Sequence, residues 1–194
     1  MPILLTATWR DTCSVSSNRF GPQAIDFAAI GAATQRTGAI SQWTFLRGHW
    51  RLEDGAYHGS GASVSESYTA DPAWRDLVFE VDLVPVAGTS HNINVRVQGA
   101  RRSYAVGLAP DNRVVIHKNA RGYRPVAEVN FAWERGVRYR LRVAAVGATI
   151  TVTLNDHMSL AWTDPDGPYL NGQIGLSNFT SHARYERVRV VGKE

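Results

Sequence analysis

Asn92, Asn94, Arg96 and Gln98 alternate along the chain with Ile93, Val95 and Val97. Residues two apart share a face of a strand, so this stretch has one apolar side and one side of amides around a guanidinium. Such groups donate and accept in fixed planes, which suits the paired hydroxyls of a saccharide, and Arg96 is the group for a bidentate grip. Tyr104, on the following strand, offers a ring for the C–H face of a sugar. Glu80 and Asp82 alternate on a strand upstream and add carboxylate acceptors. The candidate ligand set is therefore Glu80, Asp82, Asn92, Asn94, Arg96 and Tyr104, with His49, Trp162 and Tyr169, near expected turns, as its rim.

Other chemistries find less support. No G-x-S-x-G elbow, H-E-x-x-H pair or Gly-rich phosphate loop occurs. The six histidines, at 49, 58, 91, 117, 157 and 182, are scattered singly; His49 and His58 flank one expected hairpin without an evident third ligand. Asp164 and Asp166, in Asp164-Pro165-Asp166-Gly167, place oxygen ligands in a turn, and they keep calcium open as the one cofactor option. The stretch falls far short of an EF-hand loop, and a structural turn is the simpler expectation.

The elements that must hold these groups are strands. His49 to Gly59 reads as two alternating runs about Asp54-Gly55, a strong hairpin signal. Trp74 to Val84 sends Leu77, Phe79, Val81 and Leu83 inward and Val78, Glu80 and Asp82 outward. Ser90 to Leu108 supplies two strands turning at Gly99 to Arg102. Further strands are expected at 113–118, 126–131, 138–144, 149–154, 173–177 and 184–191, with Pro110-Asp111-Asn112, Gly122, Gly136 and Gly147 between them. Only Gln23 to Thr34 reads as a short helix, and Gly31 weakens it. About a dozen short strands at roughly 8–12-residue spacing, without alternating helices, predict an all-β antiparallel sandwich. Residues 1–40 lack the alternation and are expected to form an extension packing on a domain of residues 41–194.

Composition narrows the partners. The net charge of +4 comes almost wholly from arginines spread along the chain, with only Lys118 and Lys193 as lysines, so no nucleic-acid surface is expected. A single cysteine, Cys13, excludes an intramolecular disulfide and any cysteine-based zinc site. The opening MPILLTATWRD lacks a cationic lead and a long apolar core, and nothing else approaches a membrane span. A cytoplasmic location is expected if Met1 is the natural start.

In order along the chain, Trp43…Gly48-His49-Trp50-Arg51-Leu52-Glu53-Asp54-Gly55, Asp76 to Leu83, Asn94-Val95-Arg96 with Tyr104, Trp133 to Val143, Gly147 to Val152, Gly172 to Leu176 and Arg184 to Val190 form a series. The series resembles concanavalin A-like jelly rolls, in particular the 3-keto-disaccharide hydrolases and the fructan-binding carbohydrate modules. The resemblance covers about residues 43–191 and implies a two-sheet jelly roll, a sugar on the concave face or rim, and a partner catalytic domain or enzyme. Jelly-roll glycosidases of the laminarinase type carry E-x-D-x-(x)-E on one strand, as nucleophile, helper and acid/base. Glu80 and Asp82 fit the first two, but Val84 and Pro85 stand where the third carboxylate belongs. The expectation is accordingly a non-catalytic carbohydrate-binding module. A glycoside hydrolase resembling the 3-keto-disaccharide enzymes is the alternative, and a structural interaction domain without sugar binding the third.

Overall fold

The computed structural model describes residues 43–192 and, upstream, the backbone of the strand Gln23–Ile25. Two antiparallel sheets face each other. The first carries, in spatial order, β13 (Met158–Thr163), β12 (Thr149–Leu154), β11 (Tyr139–Val146), β6 (Leu77–Ala87), β15 (His182–Gly192), β4 (Ala56–Ser60) and β3 (His49–Glu53); β1 (Gln23–Ile25) also pairs with β15. The second carries β10 (Tyr123–Asn130), β9 (Arg113–Ala120), β8 (Arg102–Ala109), β7 (His91–Val97), β14 (Gln173–Phe179), β5 (Val64–Thr69) and β2 (Thr44–Arg47). The antiparallel sandwich expected from the alternation is present, in the two-sheet form that the resemblance implies, and no helix occurs among the described residues.

The alternation explains the core. Leu77, Phe79, Val81 and Leu83 of β6 meet Ile93 and Val95 of β7 and Val106 and Leu108 of β8 between the sheets. The Asp54-Gly55 turn forms between β3 and β4, and both residues have positive φ, at 49° and 73°. That is the twist a two-residue hairpin loop requires.

Two expectations change. Gln23–Ile25 is a strand, in register with Val188 to Val190 of β15, where a helix was expected; a sheet edge offers three residues a ladder that a short, Gly-interrupted helix cannot match. The rest of that stretch and most of the expected 1–40 extension, Cys13 included, lie outside the described residues. Strands β2, β5 and β13 arise where no strand was expected. In β5, Val64-Ser65-Glu66-Ser67-Tyr68-Thr69, small hydroxyl residues face inward, so hydropathy does not alternate although the backbone does.

Candidate functional site

The sandwich separates the candidate ligand residues into three places. Glu80 and Asp82 lie on the outer face of the first sheet, because β6 pairs with β11 and β15. There Glu80 meets Arg142 at 3.0 Å and Arg189 at 3.7 Å, while Asp82 is flanked by Arg138, Arg140 and Arg187. Asn92 and Asn94 lie on the outer face of the second sheet, opposite Ser177 and Gly175 of β14. Arg96 and Tyr104 point between the sheets, so no single surface carries all six.

Arg96 leaves the row because the strand bulges. Val95 and Arg96 together oppose Ile174, and Arg96 has φ 54°. An extra residue reverses which face the next side chain takes. The guanidinium, fully buried, bonds Asp76 Oδ1 at 2.9 Å, the carbonyl of Ala145 in β11 at 3.2 Å and the carbonyl of Leu170. It joins one sheet to the other. Burial pushes the Asp76 carboxyl up, but the Arg96 bond and the Gly147 amide outweigh it and hold the group below its ordinary value. Gln98 remains at the surface, bonded to Asn171.

Tyr104, Trp162 and Tyr169 also turn inward, and their rings pack on one another rather than forming a sugar platform. The Tyr104 hydroxyl donates to Asp164 Oδ2 at 2.5 Å and accepts from the Tyr169 amide. Lys118, buried on β9, lies 2.6 Å from the same Asp164 oxygen and donates to the carbonyls of Asp166 at 2.5 Å and Gly167 at 3.3 Å. The ammonium thus fills the oxygen nest that a bound cation would need, and Asp164 with Asp166 does not fit calcium. Replacing Lys118 by methionine would leave Asp164 buried without its counter-charge, although Tyr104 and the Asp166 amide remain. The expected loss is about 2–3 kcal/mol of unfolding free energy, read by urea titration; an unchanged midpoint would contradict this account of the turn.

The unexpected site lies around Asn94. Tyr123, on edge strand β10, donates to Glu66 Oε1 at 2.8 Å, although β9, β8, β7 and β14 separate it from β5. On a flat sheet those five intervals would span about 24 Å, far beyond a tyrosine and a glutamate side chain. The second sheet therefore curls toward its outer face, and that face is a trough. Ser103, Ala105 and Gly107 of β8, by register with Asn92 and Asn94, give its floor small side chains. The Tyr68 ring lies over Gly175, where a Cβ would approach it to 2.4 Å.

Glu66 is 1% exposed, Asn94 and Ser103 0%, and Tyr123 37%, so the phenol lies over groups that it shields from water. Asn94 Nδ2 reaches the Tyr123 hydroxyl at 3.4 Å, and Arg47 Nε stands 3.6 Å from Glu66 Oε2 at the rim. Glu66 Oε2, Tyr68 OH, Asn92 Oδ1, Asn94 Oδ1 and Ser103 Oγ all lack a hydrogen-bond partner. Each such atom costs about 1–3 kcal/mol when buried, so five on one face call for a ligand or water. Burial and the Glu66 charge push the Tyr123 phenol up to about 12, which keeps its proton in place to donate. Burial, then Tyr123 and Glu66, raise Tyr68 as well. Of this set the sequence had singled out Asn92 and Asn94 for the site. The period-two placing of Glu66 and Tyr68 was the one trace of the others, and the serines between them masked it.

A family model for the 3-keto-alpha-glucoside-1,2-lyase-like domain matches residues 37–191. The chain belongs to this family. No curated protein matches it. Among solved structures it is similar to the carbohydrate binding module CBM66 from Bacillus subtilis, at 20% identity and TM-score 0.72, over 79% of this chain and 97% of that one. It is also similar to a protein of unknown function with a galectin-like fold from Bacillus subtilis, at 14% identity and TM-score 0.59, over 77% and 89%. The exoplasmic/lumenal domain of VIP36, in its Ca2+/Man3GlcNAc-bound form, matches at 12% identity and TM-score 0.59, over 81% and 86%. These likenesses place the lyase-like family domain in the jelly-roll fold of carbohydrate-binding modules and lectins.

Proposed function

We propose that this lyase-like family domain binds a carbohydrate in the trough of its second sheet, as a non-catalytic module accessory to a sugar-processing enzyme. One observation carries the reading: a buried carboxylate, Glu66, with one oxygen unbonded among two phenols and two amides. With the Tyr123 hydroxyl displaced, a vicinal diol would donate to Glu66 Oε2 and Asn94 Oδ1, accept from Arg47, and rest a C–H face on the swung Tyr123 ring. The hydroxyl of Tyr123 already makes bonds of the kind a sugar hydroxyl would make. The names of CBM66 and of the Man3GlcNAc-bound VIP36 domain support a saccharide as the ligand class.

Calorimetric titration against a panel of fructans, glucans and mannans tests this. Glu66→Gln is expected to weaken the best binder by tenfold or more, the size of one lost charge-assisted hydrogen bond. Tyr123→Ala is expected to weaken it too, while Glu80→Gln, on the other sheet, leaves it unchanged. Equal affinity in Glu66→Gln would overturn the site.

A second reading is elimination on a 3-keto-α-glucoside. The family name points to it, and Glu66 supplies the relevant group. The ketone acidifies the C2 proton, a buried carboxylate can remove it, and the glycosidic oxygen leaves from C1 with the electron pair. Release of the aglycone from such a substrate, lost in Glu66→Gln, would establish this reading in place of binding alone.

A further inference from the structure

The hairpin histidines find their third member in the fold. Strands β3, β4 and β15 are neighbours in the first sheet, with His49 in register with Ser60 and Ser60 with His182. His58 is two residues from Ser60 on β4, so the three imidazoles share the outer face of three adjacent strands, on the sheet that does not form the trough. His58 Nδ1 and His182 Nε2 already lie 3.1 Å apart, with ring centroids at 5.4 Å. Two nitrogens bound to one tetrahedral zinc at about 2.1 Å are separated by about 3.4 Å.

We propose that His58 and His182 chelate a borderline divalent transition metal, with exposed His49 turning across Ser60 as the third ligand. As the side chains stand, no three such ligands converge among the described residues; the third must move. The backbone permits that. The His49 and His182 Cα atoms are two strand spacings apart, about 10 Å, a span that two imidazoles meeting at one ion cover. Ser60, between them, presents only a hydroxymethyl group. Arg51 and Arg184 are the adverse neighbours, each in register with His58, but their guanidinium groups are committed to Glu53 at 2.8 Å and to Glu186 at 2.9 Å. Imidazole ligation favours zinc, nickel or copper over calcium or magnesium. The tripod leaves a fourth position open.

The test uses the full chain titrated with Zn2+ and, separately, with Cu2+ for electron paramagnetic resonance. One Zn2+ per chain is expected to bind and to raise the melting temperature. His49→Ala, a change at an exposed side chain, is expected to weaken Zn2+ at least tenfold and to reduce the nitrogens on Cu2+ from three to two. His58→Gln with His182→Gln is expected to abolish the site, in a protein whose far-UV spectrum shows it folded. No stoichiometric binding overturns the proposal. So does binding unchanged in the double variant, or three nitrogens retained in His49→Ala. If the double variant fails to fold, the single His182→Gln change with the same copper spectrum decides.

Discussion

Replacing Arg96 by leucine is expected to lower the unfolding free energy by about 3–5 kcal/mol, the usual cost of removing one partner of a buried ion pair. The guanidinium is wholly enclosed and gives three bonds at once, to Asp76, to Ala145 of the facing sheet and to Leu170. Leucine would fill part of the volume but strip the Arg96 donors from two carbonyls and leave Asp76 with the Gly147 amide and no buried counter-charge. Urea unfolding read by tryptophan fluorescence measures the effect. The double change Arg96→Leu with Asp76→Leu should recover part of the stability, because it removes the stranded charge. A loss below about 1 kcal/mol for Arg96→Leu would contradict the bridging role. At a temperature where the variant stays folded, sugar affinity in the trough is expected to be unchanged, since Arg96 does not reach that face.

The same residue marks where the sequence stopped being readable. Period-two alternation identifies an inward row such as Leu77, Phe79, Val81 and Leu83, and Asp54-Gly55 announces its own turn, because both depend on neighbours along the chain. A bulge depends on the partner strand. Nothing local to Asn92–Gln98 says that two residues will oppose one at Ile174, and that single insertion moves Arg96 from the polar row to the interior. Sheet membership is equally non-local. Glu80 and Asn94 are 14 residues apart, yet they face away from each other on opposite sheets, because β6 and β7 part company after Ala87. Asp164 looked like a cation ligand because the cation beside it, Lys118, comes from a strand 46 positions earlier.

The trough was half legible. Asn92 and Asn94 stand out because amides are unusual on an exposed strand face, and they do face it. Glu66 and Tyr68 were hidden by the serines that alternate with them, which erase the hydropathy contrast by which strands are recognised. Tyr123 joins them only through the curl of the whole sheet, a property no window of residues contains. The trough proposed to bind sugar draws its side chains from β2, β5, β7, β8 and β10, while the fold that carries it rests on local patterns. This division leaves the site free to differ between relatives that keep the same core.

Acid should destabilise the protein well before its carboxylates are protonated. His91 is fully buried, with Nδ1 at 3.4 Å from Asn178 Oδ1, its ring edge-on to Trp133 and Nε2 without a partner. Burial pushes its pKa down to about 4, although the Asn178 and Gly88 bonds oppose the shift. His117 is lowered in the same direction, chiefly by burial, with Glu128 opposing and Arg113 adding to it. In the unfolded chain these rings take up a proton near pH 6.5, so between about pH 6.5 and 4 the unfolded state binds more protons than the folded one. Stability then falls as the pH falls, by about 3 kcal/mol for His91 over that window. Asp76, Asp164 and Glu186, all held below their ordinary values against burial by cationic partners, extend the loss below pH 4. Urea midpoints at pH 7.5, 6, 5 and 4 measure the decline. His91→Phe, which keeps a ring against Trp133 and cannot titrate, is expected to flatten it between pH 6.5 and 4. A wild-type midpoint that is level across this range would mean that His91 takes up its proton without unfolding the sandwich, and would remove the burial argument at its strongest point.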